Sequence, residues 1–230
     1  MEKVSKIRSG GFAIRNITHS QDKTTTPVNK VTQSLPQEPP LLKRYTVYTD
    51  GGCNNLSPYG EGGYAFVAFA GSRACEDYNE CSGGVMLTTN NRMEMLAMCK
   101  AVESMPTASH VNIVSDSQYC IDTMRMALTF KPTTYIRANE DLIDRFVTAV
   151  RSRNLEVSFV WIRGHSGNKF NERCDELCTS HIKRLMEKYS IPVYNYRNSP
   201  KVRNNNLPMP TMPEIDSEDL EIEPEPWPES

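Results

Sequence analysis

Residues 45–52 read YTVYTDGG, and what the end of this octet means settles how the rest of the chain is read. Tyr45, Val47 and Thr49 point to one side of an extended chain, Thr46 and Tyr48 to the other. Nearly all of these residue types favour a strand. The run stops on Asp50, and Gly51-Gly52 permits a sharp exit. Taken alone, Asp50 reads as a solvated turn residue. Yet α/β sheets place their ligands at the carboxyl ends of strands, so the neighbouring segments must decide.

Those segments are periodic. Residues 63–70 (GYAFVAFA) and roughly 74–86 read as two further strands, punctuated by Gly62-Gly63 and Gly71. Helical spacing predicts helices over 91–104, 117–128, 139–151 and 170–188. Short strands fall at 110–115 and 155–161. Three strands followed by alternating helices and strands predict a mixed sheet with helices on its faces.

The ends of the chain differ from this middle. The 230 residues carry a net charge of -2, which as a total argues against a nucleic-acid partner. The charge is unevenly placed, however. Residues 1–42 hold six Lys/Arg against three acids, residues 43–190 hold 17 against 17, and residues 191–230 hold three against eight. Residues 1–42 lack periodicity and end among Pro36, Pro39 and Pro40. They read as a disordered tail, with an organelle-targeting segment over 1–40 as the alternative. Residues 191–230, acidic and rich in proline, read as mostly disordered. Trp227 among the last acids offers a protein anchor, although such a residue usually does nothing. The seven cysteines form no CxxC pair and read as reduced thiols of an intracellular, cytoplasmic protein. No apolar run approaches the roughly 20 residues that cross a bilayer.

Within 43–190, four acids hold unusual places. Asp50 and Asp116 end the first and fourth strands. If those strands are parallel neighbours, their carboxylates face each other across about 5 Å. Glu94 lies in the first turn of its helix, which Thr89, Asn90 or Asn91 can cap. Asp175 lies inside the last helix, where a solvent stripe with Glu172 and Glu176 is the plain alternative. Hard divalent cations give the four a joint reason, because Mg2+ takes oxygen ligands. Phosphoryl transfer with two metals about 4 Å apart draws carboxylates from several elements. His165, in WIRGHSGN, suits proton shuttling from a glycine-rich loop.

The segments YTDGG (48–52), TTNNRMEM (88–95), SDSQYC (115–120) and WIRGHSGNKFNERCDEL (161–177) resemble, in order and separation, the motifs of the type 1 ribonuclease H family. The resemblance covers about residues 43–185. It implies a ribonuclease H-like α/β fold, a five-stranded mixed sheet with helices on both faces. It implies endonucleolytic hydrolysis of the RNA strand of RNA/DNA hybrids with two Mg2+ ions (or Mn2+), leaving 5'-phosphate and 3'-hydroxyl ends. By resemblance, Asp50, Glu94, Asp116 and Asp175 hold the metals, His165 is the mobile catalytic histidine and Asn171 an auxiliary residue. Cys53, Asn55, Asn90, Asn91 and Gln118 match minor-groove contacts, and Thr89 and Asn139 match DNA-phosphate contacts. Arg44, Arg73, Arg92, Arg137 and Arg163 are candidates for backbone charge, and Arg92 is equally a candidate to brace an acid. The basic, Trp-rich protrusion of many bacterial members is not matched in residues 126–138. A monomer is expected. The rivals are a related exonuclease or junction cutter and a non-catalytic binding module; the GHSGNKFNERCDE segment argues against the first and the four filled acid positions against the second.

The basic excess of residues 1–42 gives one expectation its sign. Deleting 1–40 should weaken hybrid binding at low salt, and the difference should shrink as salt screens it. Equal affinities of the two proteins in a low-salt titration would show the segment to be electrostatically idle.

Overall fold

Strand β2 (Gly62–Ala70) shows how the layers form. Its side chains alternate between two cores. Tyr64, Phe66 and Ala68 enter one, and Ala65, Val67 and Phe69 enter the other, as a period of two requires. Both faces of this strand are therefore covered. The computed structural model describes residues 42–71, 78–129, 138–201 and 210–220.

The remaining elements, in chain order, are β1 (Lys43–Cys53), β3 (Asn79–Val85), α1 (Asn90–Ser104), β4 (Ser109–Ser115), α2 (Gln118–Thr129), α3 (Glu140–Ser152), β5 (Glu156–Trp161) and α4 (Lys169–Lys188). The five strands form one mixed sheet in the order β3-β2-β1-β4-β5. The meander β1-β2-β3 is antiparallel, and β1, β4 and β5 run parallel. The larger core joins one sheet face to α1, α2 and α3 through Val47, Met95, Ile113, Ile121 and Phe146. On the other face α4 packs Phe170, Cys174 and Cys178 against β2. The ring of Phe170 lies 5.1 Å from that of Phe69 and 5.4 Å from that of Tyr48. This is the five-stranded mixed sheet with helices on both faces that the sequence predicts.

Three points bear on the sequence reading. First, β1 does not stop at Asp50. It runs through Gly51 and Gly52 to Cys53, pairing with Gly62–Tyr64 of β2. Gly51 does not have positive φ, so the glycine is not there for a turn. A Cβ on Gly51 would fall on the backbone of Met93 and Glu94, far inside van der Waals contact. The absent side chain lets α1 lie directly on β1. Second, the third strand is described only from Asn79, and residues 74–77 lie outside the described residues. So do Arg73, Cys75, Arg137, residues 130–137 of the non-matching loop, residues 1–41 and Trp227.

Third, the chain beyond 190 keeps structure at 191–201 and 210–220. Ile191 is buried, and Tyr194 and Ile215 pack with it against Tyr59, Met86 and Leu185. Asp219, buried, receives the Lys188 ammonium at 2.6 Å and the Tyr189 hydroxyl. Asp216 and Glu218 share the same ammonium at 2.8 and 3.1 Å. These contacts bury single side chains rather than one face of an element, so they leave no period in the sequence. The six described cysteines are free. Among the described residues no helix is long and apolar enough to cross a membrane.

Gly51→Ala should force α1 off the sheet. Overpacking of this kind costs roughly 1–3 kcal/mol, and displacement of backbone puts it at the upper end. With about 2–4 °C per kcal/mol for a chain of this size, the melting temperature should drop by roughly 6–12 °C. An unchanged melting curve would refute the close approach.

Candidate active site

The parallel register of β1 and β4 pairs Tyr48 with Val114, which brings Asp116, just past β4, level with Asp50. Glu94 joins them because α1 rests on Gly51. Oxygens of Asp50, Glu94 and Asp116 all lie within 4.8 Å of one another, with Asp50 and Glu94 buried and Asp116 half-buried. Thr89 is the residue that caps α1, its Oγ1 accepting from Arg92 N at 3.4 Å. Asn90 Nδ2 donates to Glu94 Oε1 at 3.3 Å, while Glu94 Oε2 is buried without a partner.

Asp175 reaches the site from α4 and is half-buried. It stands outside the tight trio, but its charge acts on Asp50. The helix is held at this height by its thiols. Cys174 Sγ donates to Tyr48 O at 3.5 Å and Cys178 Sγ to Asp50 O at 3.4 Å. The pair one turn apart therefore packs α4 on β1. Asn168 caps the helix through Phe170 N and Asn171 N. Asn171, buried, donates from Nδ2 to Asp116 Oδ2 at 3.4 Å and leaves Oδ1 buried without a partner. His165 lies on the exposed loop between β5 and α4 with a φ of 50°.

The other sequence candidates fall around this centre. Cys53 Sγ donates to Thr88 O at 3.4 Å, tying the end of β1 to the turn before α1. Asn55 and Asn91 are exposed, as is Gln118 at the start of α2. Asn139 precedes α3 in the left-handed conformation at φ 65°. Its Oδ1 accepts from Arg92 Nη1 at 3.4 Å. Arg92 makes a two-pronged pair with Asp141 at 2.9 and 2.6 Å, so it braces an acid other than Glu94. Arg44 and Arg163 are exposed.

Two residues at the site escaped the sequence reading. Trp161 Nε1 donates to Asp116 O at 2.9 Å and pins the end of β4 from β5. Gly164 leaves room for the Asp116 carboxylate, which a Cβ there would strike. Trp161 carried one signal, since it closes a strand-like run with an N–H able to donate. Gly164 carried none beyond membership of a loop.

Burial, together with the Asp116 and Asp175 charges, pushes the Asp50 carboxyl up to about 7 against the Gly51 N–H that donates to it at 2.7 Å. Burial, with the charges of Asp50 and Asp116, pushes Glu94 up to about 9, against the hydrogen bond from Asn90. Acids crowded out of water resist ionisation unless positive charge joins them. The donor set is all oxygen, and Glu94 Oε2 and Asn171 Oδ1 are unpartnered. These residues fit a hard divalent cation.

A mixed sheet carrying an acidic trio at the level where its parallel central strands end forms an α/β fold with an all-oxygen carboxylate site. Comparison with known proteins makes this specific. The family model described as RNase H matches residues 42–183, and the chain belongs to the RNase H family. It is 42% identical over 143 residues to a ribonuclease H of Syntrophus aciditrophicus (strain SB), covering 59% of this chain and 78% of that protein. It is 36% identical over 148 residues to a ribonuclease H of Trichodesmium erythraeum (strain IMS101), covering 61% and 89%. The fold is similar to the crystal structure of LC9-RNase H1, described as a type 1 RNase H with the type 2 active-site motif. That match has a TM-score of 0.52 and 22% identity over 68% of this chain and 84% of the other.

The raised carboxyls set a pH dependence. Folded Asp50 and Glu94 keep protons that the unfolded chain loses near its ordinary values of 3.8 and 4.5. Their contribution is therefore most favourable below those values and is lost as pH rises through about 7 and about 9. In EDTA, the melting temperature should fall as pH rises across this window, and Asp50→Asn should flatten the fall and raise the neutral-pH value. Added Mg2+ should stabilise the wild type more at the alkaline end. Melts that are flat in pH and in Mg2+ would contradict this reading.

Proposed function

We propose that this chain hydrolyses the RNA strand of RNA/DNA hybrids endonucleolytically and leaves 5'-phosphate and 3'-hydroxyl ends. The observation that supports it most is the trio of carboxylates from three elements, with one buried oxygen unpartnered, in a chain of the RNase H family. Asp50, Glu94, Asp116 and Asp175 would hold a pair of Mg2+ ions, with Mn2+ as a substitute. Two such ions, when bound, lower the pKa of the attacking water and stabilise the charge on the leaving oxygen.

The chain's own residues supply position and protons. Asn171 Nδ2 orients Asp116 Oδ2, and its free Oδ1 accepts from solvent at the site. His165, on its exposed loop, carries a proton between solvent and the reacting oxygens. Thr89 Oγ1 already accepts from Arg92 N, so its hydroxyl proton remains to donate to a DNA phosphate. Asn139 likewise gives its Oδ1 to Arg92 and keeps its amide N–H groups for the same phosphate. Cys53, Asn55, Asn90, Asn91 and Gln118 contact the shallow minor groove, where 2'-hydroxyls mark the RNA strand. Such contacts distinguish RNA from DNA without reading sequence.

The test is incubation with an end-labelled hybrid, duplex RNA and duplex DNA, in Mg2+ and in EDTA, with product ends mapped. Internal cuts in the RNA of the hybrid alone, only with Mg2+, are expected. Asp50→Asn should keep less than about a tenth of the rate while remaining folded, since it loses a ligand and not a core side chain. His165→Ala should slow turnover, by at most roughly 10²–10⁴-fold, and leave Mg2+ binding in calorimetry unchanged. Loss of metal binding in that variant would make His165 a ligand instead.

A further inference from the structure

Residues 191–220 lie beyond the segment 42–183 that the family model matches, and their described parts reach the two loops that carry substrate candidates. The first loop, 54–61, follows Cys53 and includes Asn55. It closes on itself through Asn54 Nδ2 to Glu61 Oε1 at 2.7 Å and Asn54 N to Glu61 O at 3.0 Å. Ser199, buried, donates from Oγ to Leu56 O in this loop. The Tyr194 ring meets the Tyr59 ring edge-on at 6.2 Å.

The second loop, 86–89, leads into α1 with Thr89 and Asn90. Its first backbone N–H, that of Met86, donates to Asp219 O at 3.1 Å. Asp219 is in turn fixed by the Tyr189 hydroxyl, which also accepts from Asp216 N at 2.9 Å. The two loops are tied together. Leu87 N donates to Tyr59 O at 3.0 Å, and Thr88 N donates to Gly60 O at 2.9 Å. Leu87 adopts a φ of 58°, a conformation that a leucine holds only when its surroundings impose it.

We propose that the segments 191–201 and 210–220 are a brace whose positioning residues, Ser199 and Asp219, set these two loops for hybrid binding. The inference rests on the hybrid-hydrolase reading above. Neither residue touches the carboxylate trio, so the brace acts on capture of the hybrid and not on the chemical step. Free loops would have to be ordered by the substrate. Loops ordered in advance remove that cost from binding.

Two oxygen deletions in the full chain test it: Ser199→Ala for the first loop and Tyr189→Phe, which removes the hydroxyl's bonds to Asp219 and Asp216 and leaves their Lys188 ion pairs, for the second. Ser199→Ala loses one part-buried hydrogen bond and Tyr189→Phe one part-buried and one exposed; each part-buried bond corresponds to roughly fivefold in an opening equilibrium. Amide exchange at 54–61 and 86–89 should accelerate about fivefold, with exchange in β1 and β4 unchanged. KM for a hybrid should rise by a similar factor, with kcat within about twofold. Unchanged exchange in both variants overturns the brace. So does faster exchange with unchanged KM, or a parallel loss of kcat and melting temperature, which marks a merely structural contact. A wild-type protein that neither binds nor cuts hybrid refutes the hydrolase reading itself, a result the exchange data cannot produce.

Discussion

The approach of α1 to β1 at Gly51 is the contact on which the site depends. With no Cβ in the way, the backbone of Met93 and Glu94 rests on the strand beside Asp50. Helix α1 thereby delivers a carboxylate to a place where the sheet already supplies two. Its apolar residues Met95, Met98 and Val102 then close the larger core. From the other side α4 is set by two thiols that donate to carbonyls of the same strand, one of them that of Asp50. β1 is thus gripped from both faces at the point where the acids gather. An error of even one residue in either helix would scatter the carboxylates.

That arrangement is unfavourable for the protein alone. Asp50 and Glu94 are removed from water beside each other and beside Asp116, so burial and repulsion both oppose their ionised forms. The fold holds them together through backbone contacts that do not depend on their charge. The outcome is a site that positive charge would relieve and whose oxygens could hold a divalent cation. Arg92, two residues before Glu94, is committed to Asp141 and Asn139.

Much of this was legible in residue order. The run GYAFVAFA reads as a strand, and it lies inside β2, whose two faces the structure covers with separate cores. Asp50 and Asp116 could be paired across parallel strands because each follows a strand-like run. Thr89 was one of three capping candidates, and helix geometry chose it. Gly51-Gly52 was noticed and misread. A glycine pair after an aspartate looks like a turn, because a sequence does not show which backbone will pass over a missing Cβ. The described parts of the tail, 191–201 and 210–220, were misread for a related reason, while 202–209 and 221–230 lie outside the described residues. Ile191, Ser199 and Asp219 are buried singly, and isolated burial has no periodic signature.

What the sequence by itself determined is the set of elements, their order and the chemical types at the site. Those follow from local rules: side-chain period, capping residues, and acids placed where strands and helices begin or end. What only the tertiary structure decided is distance. It decided that Glu94 stands within reach of Asp50 and Asp116 while Asp175 stands farther off. It also assigned Arg92 to Asp141, Trp161 to the Asp116 carbonyl, and the segment past 190 to the loops at 54–61 and 86–89. These are contacts between residues far apart in the chain, fixed by packing that no local pattern records.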